Sequence, residues 1–307
     1  MKFYLRTFSG ETDMREMAAL AQAFPESHLH STDLPYRLSS WGMDDPENIR
    51  LWSDSSGRLV GWAALQTPFW TIDYACHPDA EIELFPEILA WADFRAKEIL
   101  ETPFGLPTWF VNVFTGQSER IRALEEAGFA NQAQVGEDSW TKVLMRRAPH
   151  EPVKPYRVTE GFLVRPLAGE NEVEPYVELH QAVFETKNMT VEWRGRTLHH
   201  PVYSPDLDIV VATPDGQLAA FCIGWLARSP GRDPVGQIEP LGCHKDFRRY
   251  ALGRVALAEV LRRMQAAGVG SIFVETDNYR NTALALYESM GFQVSQEVFV
   301  FRKDYGT

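Results

Sequence analysis

The stretch Gly236–Leu257 reads G-Q-I-E-P-L-G-C-H-K-D-F-R-R-Y-A-L-G-R-V-A-L, and its order of residue types decides the fold. An apolar strand carrying one acid, Glu239, passes through a Cys-His pair into a turn with adjacent arginines, and the turn opens directly into a helix of Val, Ala and Leu. A helix N-terminus presents backbone N–H groups with no intrahelical partner and the positive end of the helix dipole, so a phosphate placed there gains hydrogen bonds and field together. Small residues at Ala251 and Gly253 let it approach. Arg248-Arg249-Tyr250-Ala251-Leu252-Gly253 fits R/Q-x-x-G/A-x-G/A, in which successive N–H groups wrap a pyrophosphate. The competing reading of that run alone is a solvated basic helix start.

A chain of 307 residues is expected to form two domains of ordinary size. Its 45% hydrophobic and 23% charged residues, with no low-complexity tract, are those of a folded globular protein. The formal net charge of −12 argues against general binding to nucleic acid or anionic membrane and favours a cationic small molecule. Neither a secretion signal at the N-terminus nor a membrane-length apolar run is found, so a cytoplasmic location is expected. Cys76, Cys222 and Cys243 form no close C-x-x-C pair and read as buried thiols rather than a disulfide framework or zinc site.

Patterning predicts strands at 2–7, 71–76, 109–114 and 140–145, a hairpin over 51–65 turning at 55–57, and helices at 13–24, 85–97 and 118–127. R-R-A-P-H-E-P-V-K-P-Y-R-V, at 146–158, carries three prolines and no helical period; it divides domain 1–147 from domain 160–307 through a linker at 148–159. The order then repeats: strand 161–166, helix 172–184, strands 208–213 and 217–226, and strand 271–276. Gly57 corresponds to Gly216, His77 to His244 and Gly128 to Gly291, at offsets of 159, 167 and 163 by subtraction, so the chain is read as a duplication.

The strand with Glu239, the R-x-x-A-x-G turn and the later helix carrying A-L-A-L-Y-E-S-M-G-F (283–292) together resemble the GNAT superfamily of acyl-CoA-dependent N-acetyltransferases, in its tandem form. The resemblance covers 160–303 closely and 1–147 in outline. It implies an α+β fold of two tandem acetyltransferase-type domains, each a mixed, mostly antiparallel sheet flanked by helices. It also implies acetyl-CoA as cosubstrate. The pyrophosphate would lie on the backbone from Tyr250 through Ala251, Leu252 and Gly253 to Arg254, beside Arg248 and Arg249, with pantetheine along Leu241 and Cys243. Tyr287 stands where such enzymes place the acid that protonates the departing thiolate. Two positions depart from the family. Alanine replaces glycine at 251, acceptable with ordinary helical geometry there, and Arg280 replaces the pantetheine-contacting asparagine, leaving Asn281 and Asn278 near but out of register.

Glu239 suits a base, because an amine arrives as ammonium and must lose a proton before it attacks a thioester; the other reading is an acid that caps the strand or binds a cationic substrate. Tyr287 reads as general acid or as a packed helix tyrosine. Cys243 and His244, with partners Cys76 and His77 in the other half, read as strand-end structure. The segment 190–205 reads as a long aromatic loop over the acceptor site, making Trp193, His199, His200 and Tyr203 candidate acceptor contacts, or as an ordinary ordered loop. No metal site is expected. In the first half Glu81, Glu83 and Glu87 stand where phosphate ligands would, so only the second half is expected to be catalytic.

The expected reaction is direct acetyl transfer from acetyl-CoA to a primary amine of a small molecule, by a monomer or homodimer that engages neither nucleic acid nor membrane. The alternative is a non-catalytic acyl-CoA-binding sensor or scaffold.

Overall fold

The computed structural model of the chain describes residues 2–228, 231 and 233–306. In chain order the elements are β1 (Tyr4–Thr7), α1 (Glu11–Ala23), α2 (Leu34–Leu38), β2 (Ile49–Ser53), β3 (Leu59–Gln66), β4 (Thr71–Cys76), α3 (Glu81–Glu98), β5 (Thr108–Phe114), α4 (Ser118–Glu126), β6 (Ala130–Asn131) and β7 (Lys142–Arg147). There follow β8 (Leu163–Pro166), α5 (Val173–Phe184), α6 (Val191–His199), β9 (Asp208–Ala212), β10 (Leu218–Ala227), β11 (Val235–Cys243), α7 (Leu252–Ala266), β12 (Ser271–Asp277), α8 (Asn281–Ser289) and β13 (Gln293–Asp304). Short 3₁₀ turns join several of them.

The chain forms two compact units, the first comprising Met1–Leu144, Asp277–Tyr279 and Gln296–Thr307, the second Met145–Thr276 and Arg280–Ser295. In the first, β1, β2, β3 and β4 pair antiparallel in sequence and β4 then meets β5 in parallel. In the second, β8, β9, β10 and β11 repeat that antiparallel series and β11 meets β12 in parallel. The duplication is therefore one of topology, and the α+β, mostly antiparallel architecture is the one expected.

Central strands β3 and β10 read as continuous apolar runs because both faces of each are covered. Helix α7 shows the complementary pattern: Leu252, Val255, Ala256, Val260, Leu261 and Met264 recur at helical spacing and are buried. It lies close on its sheet because Gly224 and Gly236 leave room for Met264 and Val260; a β-carbon at Gly224 would sit 2.7 Å from the Val260 side chain.

Parts of the chain differ from the sequence expectation. Residues 160–307 are expected to form one domain, but Val298–Asp304 pairs antiparallel with β5 in the first unit, where Val298, Val300 and Phe301 are fully buried. Helix α3 begins at Glu81, not 85, because Pro86 falls inside it and deletes only one backbone donor. The proline-rich segment is irregular yet fastened: Gln265 Nε2 donates to the carbonyls of Pro149 (2.9 Å) and Glu151 (2.7 Å), and Arg147 Nε donates to that of Met290 (2.8 Å).

Each unit buries one neutral imidazole. Burial first, then the Arg120 guanidinium, pushes His28 down to about 3; burial, then Arg194, does the same to His180. The folded values lie below the unfolded one, so the unfolded chain binds the extra protons. Stability is complete above about pH 6.5 and should fall as the pH drops toward 3, by up to about 1.4 kcal/mol per pH unit for each histidine. Urea titrations across that range check this, and His28→Leu should flatten the slope. In the same assay at neutral pH, Phe301→Ala should cost about 3–5 kcal/mol.

Candidate active site

The parallel ladder of β11 and β12 runs from Val235↔Ser271 to Ile238↔Val274 and goes no further. On its other edge β11 pairs with β10, but Ile223 there spans both Glu239 and Pro240, a bulge between Cys222↔Leu241 and Gly224↔Ile238. The strands thus part at Glu239. From Leu241 to Cys243 the pairing is with β10 alone among the described residues, and the other edge of β11 is the kind an extended ligand can join. Trp225 Nε1 donates to the Glu239 carbonyl at 2.6 Å and fixes the bulge.

Tyr287, on α8, comes to the same place. Its hydroxyl is buried, and its pKa is pushed far above the ordinary phenol value, first by burial and then by the negative charges of Glu239 on β11 and Glu275 on β12. A phenol in that field keeps its proton throughout the neutral range, as a proton donor must. Glu239 itself is half-buried.

Beyond Cys243 the chain turns through a 3₁₀ segment, Lys245–Tyr250, into α7. His244 Nδ1 accepts from the Asp246 N–H at 3.3 Å, just as His77 accepts from Asp79 at 3.3 Å, so both His-x-Asp junctions serve as turn caps. The expectation of helical geometry at Ala251 is overturned: its φ of 55° and ψ of 25° are left-handed. The 3₁₀ turn must swing sharply into α7 there, which explains why a glycine is usual at that position. The first bond of α7 is Val255 N–H to the Ala251 carbonyl, so the N–H groups of Leu252, Gly253 and Arg254 precede the helical ladder. Gly253 directs its N–H at the Cys243 thiol; burial raises that thiol's pKa, with the Gly253 bond and the Arg248 charge partly offsetting it. Cys243 is thus a packing residue against the helix start. Arg248, Arg249 and Tyr250 are exposed, and Tyr250 lies 5.3 Å from the Phe162 ring. Asn281 opens α8 and is exposed, whereas Asn278 accepts from the Thr141 N–H at 3.1 Å.

The segment 190–205 is not all loop. Thr190 accepts from the Trp193 N–H at 3.1 Å and caps α6, a helix that the Gly, His and Pro content obscured. Trp193 is 2% exposed and packs inward. His199 is 70% exposed, 3.0 Å from Glu170, and His200 is half-buried, its Nδ1 accepting from Val202. Tyr203 is tied toward Glu239 through Trp225: its ring packs edge-on to Trp225 (6.5 Å), and its hydroxyl donates to Asp208 Oδ2 at 2.7 Å.

That bond exposes a group which pattern reading passed over. Asp208 and Arg194 form a fully buried ion pair, and the guanidinium lies 3.7 Å above the Tyr176 ring. The available signal was internal: Tyr36-Arg37 in α2 matches Trp193-Arg194 in α6. In the first unit, allowing for the bulge, Thr71-Ile72-Asp73 aligns with Gln237-Ile238-Glu239. There Arg37 grips Asp73 through two bonds, Nε–Oδ2 at 2.6 Å and Nη2–Oδ1 at 2.8 Å. The positional counterpart of Glu239 is thus neutralised, whereas in the second unit the arginine is turned onto Asp208.

Residues 173–292 match the sequence profile of the acetyltransferase (GNAT) family, a span that contains the bulge, the arginine turn and Tyr287. That stretch, residues 173–292, is a GNAT-family domain. It is 26% identical over 268 residues to a mycothiol acetyltransferase of Acidothermus cellulolyticus, covering 80% of this chain and 76% of that one. It is 30% identical over 95 residues to the [ribosomal protein bS18]-alanine N-acetyltransferase of Escherichia coli, covering 31% and 59%. In fold, the chain resembles a tandem GNAT protein from the clavulanic acid biosynthesis pathway (TM-score 0.66, 13% identity, 100% and 99% covered). It also resembles a GCN5-related N-acetyltransferase from Sphaerobacter thermophilus (TM-score 0.65, 18% identity, 99% and 96% covered). No helix among the described residues is long and apolar enough to cross a membrane.

A left-handed alanine costs roughly 1–2 kcal/mol, and glycine gives back part of that in unfolded-chain entropy. Ala251→Gly should therefore raise the stability of the protein by about 0.5–1 kcal/mol in a denaturant titration. Asp208→Asn, which strands a buried guanidinium, should lower it by about 3–5 kcal/mol.

Proposed function

We propose that the second unit transfers an acetyl group from acetyl-CoA directly to a primary amine of a small molecule. The observation that carries this is the parting of β11 from β12 at Ile238↔Val274, with Glu239 at the fork, Tyr287 beside it and the unladdered N–H groups of α7 beyond Cys243. Pantetheine would lie along Leu241–Cys243 as an added strand. The pyrophosphate would rest on the backbone of Tyr250–Arg254, with Arg248 and Arg249 supplying positive charge and Asn281 near the pantetheine.

In this reading Glu239, directly or through one water, takes a proton from the ammonium. The free amine attacks the thioester carbonyl, and a backbone N–H of Leu241–Cys243 stabilises the oxyanion. Collapse expels the thiolate, which takes its proton from Tyr287. Tyr203, with His199 and His200 on the same segment, would face the acceptor, while Trp193 supports α6 from the core. The first unit is the structural partner: Arg37 occupies Asp73, and α3 opens on Glu81, whose carboxylate is bonded to Arg120. The acidic chain suits a cationic acceptor, and its cytoplasmic location belongs to the same reading.

The test is release of free thiol from acetyl-CoA against a panel of amines that includes the acceptor of the mycothiol acetyltransferases. Glu239→Gln and Tyr287→Phe should each lower turnover by about 10²–10⁴-fold with coenzyme A affinity nearly unchanged. Near-normal turnover in both would remove them from the mechanism, and coenzyme A binding with no thiol release from any amine would leave a sensor or scaffold.

A further inference from the structure

The first unit has a parted pair of its own. Among the described residues β4 and β5 pair in parallel at Thr71↔Phe110, and past that point the strands border a small open cleft. Asp73 and Tyr74 of β4, Asn112 of β5, and His28 from the segment after α1 line it.

It is not furnished for a thioester. The Tyr74 hydroxyl reaches across to the Asn112 carbonyl at 3.4 Å, which closes the gap that a pantetheine strand would need. The start of α3 is occupied by Glu81, held by Arg120 through bonds of 2.9 and 2.7 Å.

What the cleft offers instead is acceptors. His28 is only 6% exposed, and its Nε2 has no hydrogen-bond partner; neither has Asn112 Oδ1. The His28 ring is bonded on its other side to the Cys76 carbonyl and is neutral, so Nε2 is a lone pair awaiting a donor. Buried acceptors without donors are costly, and a ligand that brings donors relieves both. Its charge is constrained as well. Asp73 is matched by Arg37 and Glu81 by Arg120, the buried Asp33 carboxylate beside His30 disfavours an anion, and the Arg120 guanidinium that disfavours a proton on His28 equally disfavours an ammonium.

We infer that the first unit binds, in the cleft between the parted β4 and β5, a small uncharged molecule rich in N–H or O–H donors, of the amide or polyol class. The site is independent of acetyl transfer in the second unit.

The experiment uses the full chain labelled with ¹⁵N in its histidine rings, with acetamide and glycerol as probes and the His28 Nε2 resonance as readout. A saturable shift with either probe, weakened at least 10-fold in Asn112→Ala at unchanged melting temperature and preserved in Glu239→Gln, is the expected result. No saturable shift with either probe would mean that the acceptors are met by water only, and a saturable shift of His28 on adding acetyl-CoA would make the cleft a thioester site. Either outcome overturns the inference.

Discussion

The register between β10, β11 and β12 holds the site together. β11 carries one residue more than its neighbour can match, and the excess is placed at Glu239–Pro240. A strand bent there by a bulge cannot keep its parallel ladder with β12, so hydrogen bonding ends one residue earlier, at Ile238. Three features meet at that break: the Glu239 carboxylate, an edge of β11 past the end of its ladder, and the buried Tyr287 phenol. The close seating of α7 on Gly224 and Gly236 then sets its N-terminus just beyond the strand end.

The first unit shows the same framework taken in another direction. Its β3–β4 ladder runs from Gly61↔Cys76 to Gln66↔Thr71 with no bulge, and the acid aligned with Glu239 is locked by Arg37. Its turn after the Cys-His pair is shorter and leads into carboxylates. One topology thus supports a parted fork carrying Glu239 in one copy and, in the other, a cleft with two unpartnered acceptors. The difference comes from single side chains, one extra residue in β11 and a longer turn before α7, since the order and direction of the strands are common to both.

The left-handed Ala251 shows that backbone geometry outlasts the residue best suited to it. The turn from 3₁₀ to α7 demands that conformation, and the chain meets the demand with an alanine at some cost in strain.

The two-fold repeat, the α+β class, the acid on its strand and the arginine turn could all be read from the sequence, because each is a local pattern: alternation, helical period, glycine turns and a motif of fixed spacing. Helix α6 was obscured because its cap is a lone threonine and its interior holds Gly and His, so only packing of Trp193 and Arg194 reveals it. The placement of 298–304 beside β5, the Arg194–Asp208 and Arg37–Asp73 pairs and the orphaned His28 Nε2 depend on residues far apart in sequence meeting across a sheet. No short-range pattern encodes such a meeting. The sequence by itself determined which chemical groups are present and the elements that carry them; the tertiary structure decided which distant charges are paired with one another and where each strand ladder ends. Those outcomes follow from burial and register, which exist only once the sheets have formed.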